Sequence, residues 1–171
     1  HFRGLETYWE IPADEPTAVE GRWVPGPADA FFDALQLEFG AELPIIAEDL
    51  GIITDQVRAL RKRVGLPGMK VLHFAFAGGP DHEYLPHNYN QDYIVYLGTH
   101  DNDTTIGWYH SRDQEERDFI LRYLGRDGHD IVWDLMQVAF MSVAQMAVVT
   151  AQDLLKLGSE ARMNTPGTTG G

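Results

Sequence analysis

The sequence predicts an α/β fold built on a parallel sheet, and three observations carry that expectation. The spacing of apolar residues switches back and forth along the chain between a strand-like and a helix-like period, so strands alternate with helices. Polar and acidic residues follow the ends of several apolar runs, which favours a closed (β/α)8 barrel, with its site at the carboxyl ends of the strands, over a doubly wound sheet. Four strand units in 171 residues amount to about half of such a barrel.

Residues 11–27 are rich in Pro, Gly and acid and read as a loop. Ala28–Phe39 places Phe31, Phe32, Leu35 and Phe39 at helical spacing, so an amphipathic helix should end at Gly40. LPIIA, residues 43–47, is a short apolar run between acidic residues and predicts a buried strand with Glu48 and Asp49 at its end. Thr54 is placed to cap a helix that buries Val57, Leu60 and Val64, keeps Arg58, Arg61, Lys62 and Arg63 in solvent, and stops at Gly65. Residues 69–76 and 93–97 predict two more strands, Gln114–Leu124 and residues 129–144 two more helices, and residues 146–149 a fourth strand.

Composition narrows the function classes. Thirteen Lys plus Arg against 26 Asp plus Glu leave a formal charge of −13, which repels phosphate backbones and anionic membranes, so nucleic acid is not an expected partner. The absence of cysteine removes disulfides and thiolate metal sites and suits a cytoplasm. No apolar run reaches the roughly 20 residues a spanning helix needs, and no basic-then-apolar targeting pattern opens the chain, so a soluble protein is expected. His1 in place of Met, and a final NTPGTTGG without a closing element, suggest a piece of a longer chain.

The chemistry concentrates where apolar runs stop. Glu48-Asp49 is read either as a solvated strand end that favours the next helix dipole, or as a site carboxyl at the rim of an apolar wall formed by Ile45-Ile46-Ala47. Such a wall raises a carboxyl pKa by desolvation and keeps a general acid protonated. His100-Asp101 is read either as a capping turn or as part of a site; residues 100–105, HDNDTT, are six consecutive polar side chains, more than a turn requires. A sugar is the ligand most in need of such donors and acceptors. Trp9, Phe74, Tyr96, Trp108 and Tyr109, near the same rims, are read either as apolar faces for its rings or equally as core, with core the safer reading for Phe74. Two separated carboxyls with imidazole, amide and aromatic neighbours point to glycosidic-bond chemistry, in which a retaining enzyme uses one nucleophile and one acid/base. Neither Glu48 nor Asp101 is singled out as the nucleophile by these arguments.

Six segments carry a resemblance: HFRGLETYWEIPA (1–13), PIIAEDLG (44–51), GLPGMKVLHFAF (65–76), YLPHNY (84–89), GTHDNDTTIGWY (98–109) and GSEARMNTPGT (158–168). In identity and order they resemble the 4-α-glucanotransferases, or amylomaltases, of the α-amylase-like clan. The resemblance implies a (β/α)8 catalytic barrel with inserted subdomains and transfer of α-1,4-glucan segments through a covalent glucosyl intermediate, without cofactor or metal. It implies that Glu48, after the fifth barrel strand, is the general acid/base. Asp101, after the seventh, matches the third carboxylate, which orients the sugar and stabilises the oxocarbenium-like transition state. His1 and His100 match residues that contact the sugar at the cleavage subsite, and Phe74 and Asn164 match positions in the substrate cleft.

In that family the nucleophilic aspartate stands directly before HFRG, so this chain starts one residue after it. The expectation is therefore the C-terminal half of the barrel, roughly strands 5 to 8, inactive alone and prone to self-association through exposed barrel edges, from a parent that acts on maltooligosaccharides in the cytoplasm or a plastid. Two rivals are weighed beside it. One is a glucan-binding module without catalysis; the other is a phosphohydrolase in which His100-Asp101 is a metal-binding doublet, which would place that pair on a helix with further ligands.

Overall fold

The computed structural model describes residues 1–169, and these divide into two compact units, the first being His1–Met69 and the second running from Lys70 onward. The architecture is mixed α/β. In the first unit the strands β1 (Thr7–Glu10) and β2 (Arg22–Pro25) form an antiparallel pair in which Trp9 stands opposite Trp23, their rings meeting edge-on at 5.4 Å. The second of these strands lies inside the stretch read from sequence as a loop.

Helix α1 (Ala28–Phe39) has the expected bounds, and Gly40 takes the positive φ of 91° that ends it. Its apolar stripe is mostly uncovered: Phe32 is buried, whereas Phe31 and Phe39 are exposed. Helix α2 (Asp55–Arg63) is capped as its sequence requires, the Thr54 hydroxyl accepting the Val57 N–H at 3.2 Å. Val57, Leu60 and Val64 pack with Phe2, Phe32 and Leu66 into the core of this unit. Arg61 departs from expectation. It is 1% exposed, held inside by Asp49, whereas Lys62 and Arg63 are solvated. The run 43–47 also departs, having no regular secondary structure, and its Ile45 N–H turns back to the Leu43 carbonyl at 2.8 Å. One bond, from the Ala47 N–H to the Pro67 carbonyl at 2.9 Å, stands where a strand needs a repeating ladder.

The division between the units falls inside β3 (Gly68–Val71), which heads a three-stranded sheet of order β3-β4-β5 with β4 (Tyr93–Tyr96) and β5 (Met146–Val148). The pair β4 and β5 is parallel, Val95 standing opposite Ala147, and three helices make the crossover: α3 (Thr105–Ser111), α4 (Gln114–Leu124) and α5 (Ile131–Met141). A short α6 (Ala151–Leu154) follows. The strand expected over 69–76 ends early, because Leu72–Ala77 winds into a 3-10 turn that buries Leu72, His73, Ala75 and Phe76. The core of the second unit gathers Leu72, Val95, Leu97, Ile120 and Leu135, all fully buried.

Among the buried polar groups of this unit, His73 and Lys70 have the most distinctive surroundings. The His73 ring stacks on Trp108 at 4.5 Å, with its Nε2 3.0 Å from the Thr105 hydroxyl. Gly98 makes room for it, since a Cβ there would stand 2.7 Å from the imidazole. Burial pushes the His73 pKa down to about 3, and the Arg112 charge adds to the effect, so the ring is neutral. Lys70, 4% exposed, places its ammonium 2.7 Å from Glu83 and over the rings of Tyr84 and Tyr93, at 4.6 and 4.4 Å from their centroids. No helix among the described residues is long and apolar enough to cross a membrane.

Candidate active site

Two constellations of side chains hold the residues singled out from sequence, one in each unit. In the first, the 3-10 turn Phe2–Leu5 carries His1 at its start, and the Phe2 N–H bonds to the Glu48 carbonyl at 2.9 Å. That backbone bond brings the His1 imidazole onto the Glu48 carboxylate, Nδ1 against Oε2. The other carboxylate oxygen accepts the Leu50 N–H at 3.3 Å. Glu48 therefore turns to solvent with its side chain 42% exposed. The desolvating wall expected from sequence is not built within this unit, as Ile45 and Ile46 are 38% and 41% exposed. A hydrogen-bonding imidazole stands at the carboxylate instead.

Asp49, the neighbour of Glu48, points the other way. It is 7% exposed, accepts the Met69 N–H at 2.8 Å and lies 3.1 Å from the Arg61 Nε, while Arg61 Nη1 donates to the Leu66 carbonyl at 2.9 Å. The doublet that sequence left ambiguous is thus two residues with separate environments.

In the second unit, the polar run after β4 is largely consumed by its own turn. Asn102 accepts the Thr99 N–H at 2.8 Å, Thr104 caps α3 by accepting the Gly107 N–H, and Asp103 accepts both the Thr104 N–H and the Ser159 hydroxyl. His100 and Asp101 remain at the surface with side chains 69% and 54% exposed, His100 Nε2 lying 3.4 Å from Asp101 Oδ2. Asn164 donates its amide to Asp101 Oδ1 at 2.6 Å, and Arg162 donates to the Asp101 carbonyl at 3.2 Å while standing 3.9 Å from Asp103. The pair His100-Asp101 sits in a turn rather than on a helix, and no group of three His, Asp or Glu side chains converges as a metal site among the described residues. The geometry required by a metal-binding doublet is therefore not met.

Phe74, for which core is the safer reading of the residue alone and a substrate-cleft position the one implied by the resemblance, is 38% exposed and meets the edge of Tyr84 at 5.7 Å. Trp108, left open between a sugar face and the core, is 7% exposed and packs on His73. Ser159 and Arg162 went unnoticed as supports of Asp101 and Asp103, although both lie in the GSEARMNTPGT segment.

Comparison with known proteins fixes the family. A profile of the family described as 4-alpha-glucanotransferase, glycoside hydrolase family 77, matches residues 1–171. The chain belongs to the 4-alpha-glucanotransferase family. It is 54% identical to the 4-alpha-glucanotransferase of Thermus thermophilus, with 100% of this chain and 36% of that protein covered. It is 51% identical to the chloroplastic/amyloplastic 4-alpha-glucanotransferase of Arabidopsis thaliana, with 98% and 29% covered. Its structure is similar to that of the amylomaltase from Streptococcus agalactiae in complex with acarbose, with a TM-score of 0.91 at 36% identity over 99% of this chain and 34% of that one. The amylomaltase from Corynebacterium glutamicum, at 19% identity and a TM-score of 0.77, shares the fold. The chain spans about a third of the length of the curated 4-alpha-glucanotransferases it matches.

Proposed function

We propose that this chain is the C-terminal half of the catalytic barrel of a retaining 4-α-glucanotransferase, roughly its strands 5 to 8, working on α-1,4-linked maltooligosaccharides. Glu48 is the general acid/base. It gives its proton to the leaving glycosidic oxygen as an aspartate preceding His1 attacks the anomeric carbon, and it then takes the proton of the acceptor hydroxyl that displaces that aspartate. The contact between His1 and Glu48 carries this assignment, because it holds one carboxylate oxygen on an imidazole and leaves the group reachable from solvent. Asp101 supplies the fixed negative charge that stabilises the positively charged sugar of the transition state, oriented by the amide of Asn164. His100, beside it, contacts the sugar hydroxyls, and the exposed Phe74 offers a ring face.

Support for a glucan-like ligand comes from the acarbose held by the amylomaltase of Streptococcus agalactiae. Neither Glu48 nor Asp101 leaves its role to act as nucleophile, so residues 1–171 alone do not disproportionate maltotriose, and no cofactor or metal takes part. The parent works in the cytoplasm or, in a plant, in the plastid. The deciding experiment is Glu48→Gln in the full-length protein: transfer from maltotriose falls by about 10²- to 10⁴-fold while maltotriose binding is retained. Near-normal turnover in that variant would overturn the assignment.

A further inference from the structure

Asp49 is fixed far more firmly than the acid/base beside it. Its carboxylate is buried against the Arg61 guanidinium from α2 and the Met69 N–H, so it ties residues 48–49 to α2 and to the end of the first unit. Gly68 is part of this arrangement, because a Cβ on it would lie 2.7 Å from Asp49 Oδ1 and push the carboxylate off its partners. Stability alone is a poor reason for such a pair, since removing two charges from water offsets most of their attraction and a well-packed apolar pair does as well. A buried, doubly bonded carboxylate does supply direction. Burial alternates along residues 47–50, with Ala47 and Asp49 buried and Glu48 and Leu50 partly exposed, so holding Asp49 inward keeps Glu48 turned outward. The short peptide link leaves Glu48 little freedom to shift while Asp49 stays in place.

We propose that the Asp49–Arg61 ion pair is a positioning device for Glu48, setting the direction in which that carboxyl meets the glycosidic oxygen. It rests on the assignment of Glu48 as acid/base. Asp49 and Arg61 touch no substrate in this scheme; they act through the backbone of residues 48 and 49.

The test compares two donors in the full-length protein, with isotopically labelled glucose as acceptor so that transfer is read as label entering the oligosaccharide. Maltotriose needs a proton on its leaving oxygen, whereas α-maltosyl fluoride loses fluoride without one, and kcat/KM for the donor reports the steps up to departure of the leaving group. Asp49→Asn should lower kcat/KM for maltotriose by roughly 10- to 100-fold, as a displaced acid does, and change that for maltosyl fluoride by less than about threefold. Arg61→Lys, which keeps the charge, should show a smaller loss of the same kind. If Asp49→Asn fails to fold, the double variant Asp49→Asn with Arg61→Gln leaves no unpaired buried charge and gives the same readout. Equal losses on both donors would show a purely structural role, and a folded variant with no loss would show no role; either result overturns the proposal. Glu48→Ala is run beside them and should affect maltotriose far more than the fluoride. If it does not, the acid/base assignment is what fails; if it does and the Asp49 variants do not, the positioning role fails alone.

Discussion

His73 should make this fold sensitive to mild acid, and the size of the effect can be worked from its burial. In the unfolded chain an imidazole has a pKa of 6.5, and in the folded one that of His73 lies at about 3 because the ring is sealed between Trp108, Thr105 and Gly98. The unfolded state therefore takes up a proton that the folded state refuses. Stability is unaffected by this group above about pH 7 and is lost progressively as the pH falls from about 6.5 toward 3. At about 1.4 kcal/mol per pH unit the full window amounts to roughly 5 kcal/mol, and the part between about pH 7.5 and pH 5 to roughly 2 kcal/mol. His73→Gln removes the titration and keeps an amide able to meet the Thr105 hydroxyl. The loss of the Trp108 stack has a cost, but the same cost at both pH values. Urea unfolding of wild type and variant at the two pH values gives four free energies, and the acid-induced loss should be smaller by about 2 kcal/mol in His73→Gln. Equal losses in the two proteins would mean that the ring is protonated, or reached by water, inside the fold.

Asp101→Asn in the full-length protein should lower turnover far more than maltotriose affinity, measured by kcat against binding of an unreacted glucan. Asp103→Asn should do the reverse of that emphasis: its carboxylate is engaged by Ser159 and the Thr104 N–H, so the loss appears as about 1 kcal/mol of stability with turnover largely kept. Similar losses of turnover would misplace the key carboxylate. Residues 1–171 expressed alone should bind a hydrophobic dye and self-associate, because Leu37, Phe39, Met141 and Leu155 are 90%, 67%, 83% and 67% exposed. A dye-silent monomer by sedimentation would contradict this.

Helix ends were the most legible part of the fold, because their signals are local. Thr54 caps α2 within three residues, and Gly40 and Gly125 stop α1 and α4 with positive φ. Strand ends were less so. LHFAFA is apolar at every position but His73, and such a run does not distinguish a strand from a tight helical turn, so residues 72–76 read as a continuation of β3. The helix α3 was hidden because the HDNDTT run looked like a site, whereas Thr104 serves as its cap. Arg61 looked like one more solvated cation beside Lys62 and Arg63; its partner Asp49 lies outside the helix, where no periodicity points. The same distance in sequence hides the site. His1 and Glu48 are 47 positions apart, and Asp101 and Asn164 are 63 apart, so motif resemblance could nominate the members while only the fold could join them.

The enclosure of Lys70 gives the molecule a built-in chemical clock. Amine-directed acylating reagents attack the neutral, accessible form of a lysine, and this ammonium is held by Glu83 and shielded by two tyrosine rings. The sequence has only two other lysines, Lys62 and Lys156, and both are exposed. In a labelling time course those two should react at once, while Lys70 reacts only as often as β3 and the Glu83-Tyr84 segment part company. Its labelling rate, read by peptide mass, would measure how frequently that segment opens without any dye or mutation being introduced.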